Sequence, residues 1–250
     1  MLKNAIYGFA VGDALGVPFE FKERGTFTCK GMTGWGTWYQ DPGTWSDDTS
    51  MTLATCKSIQ EKGCIDIDDM RDKFKQWAFE DKFTVNGKAF GIGNTIYKAL
   101  TLGYGLDDYT SNGNGSLMRI LPLAFTDATD EEIEAVSAIT HAHEISKKAC
   151  VYYVEIAREL IHDKCDLLNE FDVDYPILSG GFVQQTLNAA IFCIKTSTSY
   201  EEAVLKAVNL GNDTDTVAAV TGGLAGILWE VPEKWINKLK NKECIEKCLF

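Results

Sequence analysis

One stretch constrains the fold more than any other. Residues Thr216 to Glu230 are apolar almost all round, with no polar face to turn to water. As a helix it must be buried on every side. Gly222, Gly223 and Gly226 lower its helix propensity, and with the small Ala225 they predict a neighbouring helix packed closely against it. Four other segments repeat apolar residues with helical period. Ile67, Met70, Phe74, Trp77 and Ala78 form one stripe, and Ile145, Ala149, Tyr152, Ile156 and Leu160 a second. Phe182, Val183, Leu187, Ala190, Ile191 and Ile194 form a third, and Ala203, Val204, Ala207, Val208 and Leu210 a fourth. Pro232 fits the first position of a last amphipathic helix carrying Trp235 and Leu239. Only residues 25–45, rich in Gly, Thr and Trp, read as irregular or extended. No Pro/Ser-rich linker divides the chain, so the pattern predicts one all-α domain over residues 1–250.

Charge narrows the partners. With 24 basic and 36 acidic residues the formal net charge is −12, which disfavours duplex nucleic acid and anionic membranes. No apolar run approaches the ~18 residues of a membrane span. Gly8, Gly12 and Asp13 interrupt any signal-peptide core. The eight cysteines contain no C-x-x-C pair and read as reduced thiols, so a cytoplasmic protein is expected. Cys244 and Cys248 stand one helical turn apart, a spacing a metal could use, though packing or chance is its plain explanation. There is no H-E-x-x-H, no Walker loop and no G-x-S-x-G elbow. His141 and His143 would point to different faces of a helix, and His162 closes an amphipathic helix.

Three polar patches fall where helices are expected to begin: Thr44-Trp45-Ser46-Asp47-Asp48-Thr49, Asn112-Gly113-Asn114-Gly115-Ser116 and Gly211-Asn212-Asp213-Thr214-Asp215-Thr216. A single Asp at each start would be an ordinary cap. Two acids at 47 and 48, and two at 213 and 215, exceed that need. Like charges so close raise each other's pKa unless a cation lies between them. Hydroxyls at Ser46, Thr49, Thr214 and Thr216 add neutral oxygen donors, and an all-oxygen set suits Mg²⁺, Mn²⁺ or Ca²⁺ rather than zinc. On the residues alone a metal-dependent phosphohydrolase would use the same carboxylates.

These patches, with Gly12-Asp13-Ala14-Leu15-Gly16-Val17-Pro18-Phe19-Glu20 before them, resemble the ADP-ribosylglycohydrolase family over most of the chain, from near residue 5 to near residue 229. The resemblance implies an all-α, compact multi-helix domain with a dinuclear Mg²⁺ or Mn²⁺ cleft at helix N-termini. It implies metal ligands Ser46, Asp47, Asp48, Asp213, Asp215 and Thr216. Ser46 stands where the family usually has Thr and keeps the hydroxyl. Glu20 and Asp48 are the implied catalytic carboxylates. Asn114, Gly115 and Ser116 would hold the diphosphate, with His141 beside the bound ADP-ribose. The expected activity is hydrolysis of the glycosidic bond between ADP-ribose and an acceptor, by a monomer acting on an ADP-ribosylated protein, nucleic acid or small molecule. A relative that has lost activity is the alternative within the family, and intact Asp clusters argue against it.

Overall fold

The computed structural model describes residues 1–250. It holds twelve α-helices and five short 3-10 turns, and the few β-bridges are isolated pairs. The all-α expectation holds. No helix is long and apolar enough to cross a membrane.

The chain forms two compact units, interleaved in sequence. The first comprises residues 1–45, 156–181 and 185–240, and the second residues 46–155, 182–184 and 241–250. The core of the first unit is α1 (Leu2–Gly16) against α10 (Thr214–Leu228), with α9 (Tyr200–Asn209) beside them. Every residue of α10 from Thr214 to Gly226 is buried, as its apolar circumference requires. The partner helix is glycine-spotted too. A Cβ on Gly12 would lie 2.0 Å from the carbonyl oxygen of Ala218, and one on Gly16 would lie 2.3 Å from the Cα of Asp215. The two backbones therefore touch, and only glycine permits it. The Tyr200 hydroxyl donates to the Gly8 carbonyl at 2.6 Å and ties α9 to the pair.

The second unit is built around α2 (Asp47–Lys62) and α3 (Ile67–Glu80). Ser58 donates to Asp69 at 2.6 Å, and the buried Lys73 ammonium meets Glu61 at 2.6 Å and Asp69 at 3.3 Å. α2 ends on Gly63 in the left-handed conformation, φ 68°, a common helix stop. α5 (Asp130–Ala138) opens with a complete capping box, Thr129 and Glu132 bonding each other's backbone N–H. The remaining helices of this unit are α4 (Asn94–Leu102) and α12 (Lys242–Cys248). α6 (Glu144–Ile161) and α8 (Val183–Lys195) coincide with two of the predicted stripes, though Phe182 lies just outside α8.

The chain end departs from its pattern. Pro232 is the N-cap of α11 rather than its first helical residue, because its ψ of 122° is extended. α11 covers only Glu233–Ile236, so Leu239 lies beyond it and the last helix is α12. His141 and His143 are not helical. They sit in the turn between α5 and α6, so the helical-face argument does not apply to them.

Candidate active site

In the first unit, Glu20 follows α1 and the 3-10 turn Val17–Phe19. Two main-chain bonds hook its loop to the start of α10: Phe21 N–H to the Asn212 carbonyl and Asn212 N–H to the Lys22 carbonyl, each 2.7 Å. Asn212 takes φ 59° and Gly211 φ 79°, two left-handed residues in succession that reverse the chain before Asp213 caps α10. The Thr214 hydroxyl donates to the Gly16 carbonyl at 2.8 Å and fixes the same corner. The result is a carboxylate cluster. Oxygens of Glu20, Asp213 and Asp215 lie within 4.8 Å of one another, and those of Asp13 and Asp215 do so as well. Glu20 and Asp213 are half-buried, while Asp13 and Asp215 are buried.

Glu20 responds to this company. Its pKa is raised to about 7, first by burial, with the charge of Asp213 adding to it; the Trp38 indole N–H, donated to its carboxylate, works the other way. The Thr37 hydroxyl holds the Glu20 carbonyl at 2.6 Å. Phe21, Trp35 and Tyr39 around it take φ of 66°, 67° and 52°. Positive φ in three aromatic residues between 21 and 39 is conformational strain, and such strain collects at functional sites.

In the second unit, Ser46 caps α2. Its hydroxyl donates to Asp48 Oδ2 at 3.0 Å, and Asp47 and Asp48 occupy the first helical turn. Asp48 is buried and Asp47 half-buried, with Asp47 against the backbone of Gly91. The Asn114–Ser116 loop leads into the 3-10 turn Leu117–Arg119, not an α-helix. Its three carbonyls are all taken. Asn114 accepts from Met118 N–H at 3.0 Å, Gly115 from Arg119 Nη1 at 2.6 Å and Ser116 from Arg119 N–H at 3.4 Å. Thr52 of α2 pins the Met118 carbonyl at 2.8 Å.

The protein itself gives Gly115 one reason for being glycine. A Cβ there would lie 2.8 Å from Ile96 Cδ1 and 2.9 Å from His141 Cε1. His141 thus backs the loop. It is 1% exposed, its Nδ1 pairs with the Thr140 hydroxyl at 2.7 Å, and burial together with the Arg119 charge pushes its pKa down to about 3. The imidazole stays neutral.

Two residues of weight were not singled out from the sequence. Asp13 is the only acid of α1, on a helix otherwise almost wholly apolar; an isolated Asp between Gly12 and Ala14 was the available signal. Arg119 is wholly buried beneath the loop. Besides Gly115, its guanidinium donates to the Val136 carbonyl at 3.2 Å and the Ser137 carbonyl at 3.5 Å, and lies 4.6 Å over the Phe74 ring. Its Nε has no hydrogen-bond partner. Nothing in local sequence distinguishes such an arginine from a surface one.

The sequence model of the ADP-ribosylglycohydrolase family matches residues 2–177 and 168–249. An ADP-ribosylarginine hydrolase of Serratia proteamaculans is 31% identical over 97% of this chain and 76% of its own length. An ADP-ribosyl-[dinitrogen reductase] glycohydrolase of Rhodospirillum rubrum is 30% identical over 96% of this chain and 90% of its own. A solved ADP-ribosylglycohydrolase-related protein complex contains a chain that superposes with a TM-score of 0.83 at 28% identity, covering 98% of this chain and 94% of that one. With its helical architecture, its acid-bearing helix starts and these matches along nearly its full length, the chain belongs to the ADP-ribosylglycohydrolase family, enzymes that act on the glycosidic bonds of ADP-ribose.

Proposed function

We propose that the protein is a metal-dependent hydrolase that removes ADP-ribose from an acceptor carrying it through a glycosidic bond, with two divalent cations, Mg²⁺ or Mn²⁺, as cofactors. The observation that carries the metal is the gathering of Glu20, Asp213 and Asp215 with oxygens within 4.8 Å of one another. Carboxylates so placed repel unless a cation or a proton intervenes. Carboxylates with a few hydroxyls are a hard-oxygen donor set, which fits Mg²⁺ or Mn²⁺. The ligands we assign are Ser46, Asp47 and Asp48 at the start of α2, and Asp213, Asp215 and Thr216 at the start of α10. When bound, the cations supply Lewis acidity and orient the ribose hydroxyls.

The chain's own groups do the rest. Hydrolysis breaks the bond from ribose C1″ to the acceptor, joins a water oxygen to C1″ and returns a proton to the leaving atom. Glu20, with a pKa of about 7, is poised to take the water proton and hand it on. The Trp38 indole N–H holds Oε2 of Glu20 in place for that task. Asp48 is the second carboxylate we assign to the chemistry, stabilising positive charge that develops on the ribose. Asn114, Gly115 and Ser116 hold the diphosphate. A loop whose carbonyls are all engaged within the protein offers an anion few acceptors to clash with. His141, neutral behind Gly115, keeps the loop in shape. Arginine-linked ADP-ribose is the first acceptor to try, since relatives at 31% and 30% identity include an ADP-ribosylarginine hydrolase and a dinitrogen reductase glycohydrolase. The eight cysteines are all free thiols, which supports action in the cytoplasm, and we take the monomer as the working unit.

The test is release of ADP-ribose from ADP-ribosylated arginine, serine and nucleobase substrates, with Mg²⁺, with Mn²⁺ and with chelator. Turnover on at least one substrate, lost with chelator and restored by metal, is expected. Full turnover in chelator would overturn the metal assignment. A phosphate ester cleaved in preference to every ADP-ribosylated substrate would overturn the reaction.

A further inference from the structure

The sequence spacing that the proposed activity leaves unused is Cys244 and Cys248, one turn apart on α12. Of the eight cysteines, five are buried, Cys64 and Cys165 are exposed, and Cys244 is half-buried. Cys244 and the buried Cys248 face a cavity. It measures about 440 Å³ and is lined by Lys57, Phe83, Asn241, Glu243, Cys244, Lys247 and Cys248. That is within the usual size range of small-molecule pockets, roughly 300–1,000 Å³. Two lysines at its wall favour an anionic visitor. Glu243 holds Lys247 at 2.6 Å, and Lys57 is shared with Glu61 at 3.3 Å, so the charge is moderated but not cancelled.

We propose that Cys244 is a modification site for small anionic disulfides of the glutathione class, which enter this cavity and leave a mixed disulfide on its sulfur. The Cys244 thiol first loses its proton to solvent. The thiolate then attacks one sulfur of the disulfide, a Cys244–S bond forms, the old S–S bond breaks, and the departing thiolate takes up a proton. One disulfide is consumed and one formed, and the incoming disulfide is the only oxidant needed.

Three features support the choice of sulfur. The hydrogen bond between the two thiols, and then the nearby Lys247 charge, lower the Cys244 pKa, while the same bond and burial push the Cys248 thiol far up. Of the other ionisable neighbours, Lys57 adds positive charge at the same wall, while Glu243 and Cys56 carry none. Reactive thiols occupy such partly exposed, electropositive places. Each unit by which a thiol pKa falls toward ambient pH raises the thiolate fraction tenfold and lowers its nucleophilicity about threefold, a net gain of about threefold. Lastly, Cβ atoms four residues apart on a helix are about 5–6 Å apart, whereas a disulfide needs about 3.5–4.5 Å. An internal disulfide to Cys248 would therefore have to distort the end of α12, which favours the mixed disulfide.

The experiment exposes the folded protein to glutathione disulfide at neutral pH and follows each cysteine by peptide mass spectrometry over time. Cys244 is expected to gain a glutathionyl group faster than the more exposed Cys64 and Cys165. Cys248→Ala should slow it, and the double variant Lys57→Gln/Lys247→Gln should slow glutathione disulfide more than the neutral hydroxyethyl disulfide. Labelling of Cys64 or Cys165 at an equal or greater rate would overturn the proposal. So would a double variant that slows both reagents equally, since the cavity would then not select charge. An internal Cys244–Cys248 disulfide as the main product would overturn it too. None of these readouts depends on hydrolase activity.

Discussion

Replacing Gly16 by alanine tests whether the backbone contact between α1 and α10 sets the carboxylates. The new Cβ would fall 2.3 Å from the Asp215 Cα and 2.4 Å from both the Asp215 nitrogen and the Thr214 oxygen. Carbon atoms rest at about 3.5 Å, so one backbone must yield by about 1 Å. The obstacle is main chain, which has no rotamer to turn away. The atoms displaced belong to Asp215 itself, and Asp213 and Thr216 ride on the same turn. A misplacement of about 1 Å costs on the order of 10²-fold in rate. Overpacking costs about 1–3 kcal/mol, offset in part by the roughly 1 kcal/mol that alanine gains over glycine in a helix. Gly8→Ala is the matched control. Its Cβ would meet the Gly222 oxygen at 2.4 Å, a comparable clash about 12 Å up the helix axis from Gly16. The assay pairs kcat for ADP-ribose release with thermal melting of both variants. Similar falls in Tm are expected, with kcat lost only in Gly16→Ala. Equal loss of kcat in both would mean that helix packing matters only through stability, and the positional argument would fail.

Glu20→Gln keeps shape and the Trp38 contact but cannot take a proton. Its kcat should fall about 10²–10⁴-fold with ADP-ribose affinity in calorimetry nearly unchanged; near-normal turnover would remove Glu20 from the mechanism. Arg119→Met should weaken ADP-ribose binding by at least about tenfold, or 1.4 kcal/mol. Arg119→Lys, which keeps the charge and loses the planar fork, should fall between it and the wild type; a lysine variant as weak as the methionine one would count against the role of charge. His141 carries a stability prediction. Its folded pKa of about 3 lies below the usual 6.5, so the unfolded chain binds the extra proton, and stability falls as pH drops through 6.5 toward 3. By pH 5 the loss is about 2 kcal/mol. Urea titrations of His141→Gln should show a shallower loss between pH 7 and pH 5, and an unchanged slope would refute the assignment.

The parts legible in the sequence were those that periodicity or repetition encodes. α10 announced itself by having no polar face. The stripes at α3, α6, α8 and α9 followed because each buries one side of a helix, which forces apolar residues three and four apart. The acid pairs at Asp47/Asp48 and Asp213/Asp215 stood out because a cap needs only one. The chain end was misread. Pro232, Trp235 and Leu239 suit a continuous helix, but the Lys240 N–H donates to the Gly43 carbonyl at 3.0 Å and the Trp45 indole N–H donates to the Lys240 carbonyl at 3.0 Å. Such long-range bonds leave no local trace. The reason for Gly115 was hidden likewise, since Ile96 and His141 reach it only in the folded unit. Asp13 carried a signal, one acid in an apolar helix, but a lone residue has no pattern to strengthen it.

Net charge says little about a small anion at close range, and Arg119 bears on the diphosphate site proposed above. A chain at −12 repels a diphosphate at long range, yet at close range the nearest charge dominates, because salt screens the rest within about 8–10 Å. Arg119 lies directly under the loop assigned to the diphosphate, with three main-chain carbonyls and an aromatic ring for company. Burying a guanidinium costs several kcal/mol even after relaxation, and a fold seeking only stability would pair it with a carboxylate. Such a partner would also cancel its field. Carbonyl dipoles satisfy its N–H groups and leave its net charge standing. The same bonds draw the Gly115 carbonyl down toward Arg119, so one side chain both sets the loop's conformation and supplies positive potential beneath it. The Arg119→Lys and Arg119→Met pair separates these two effects: methionine loses both, and lysine loses chiefly the first.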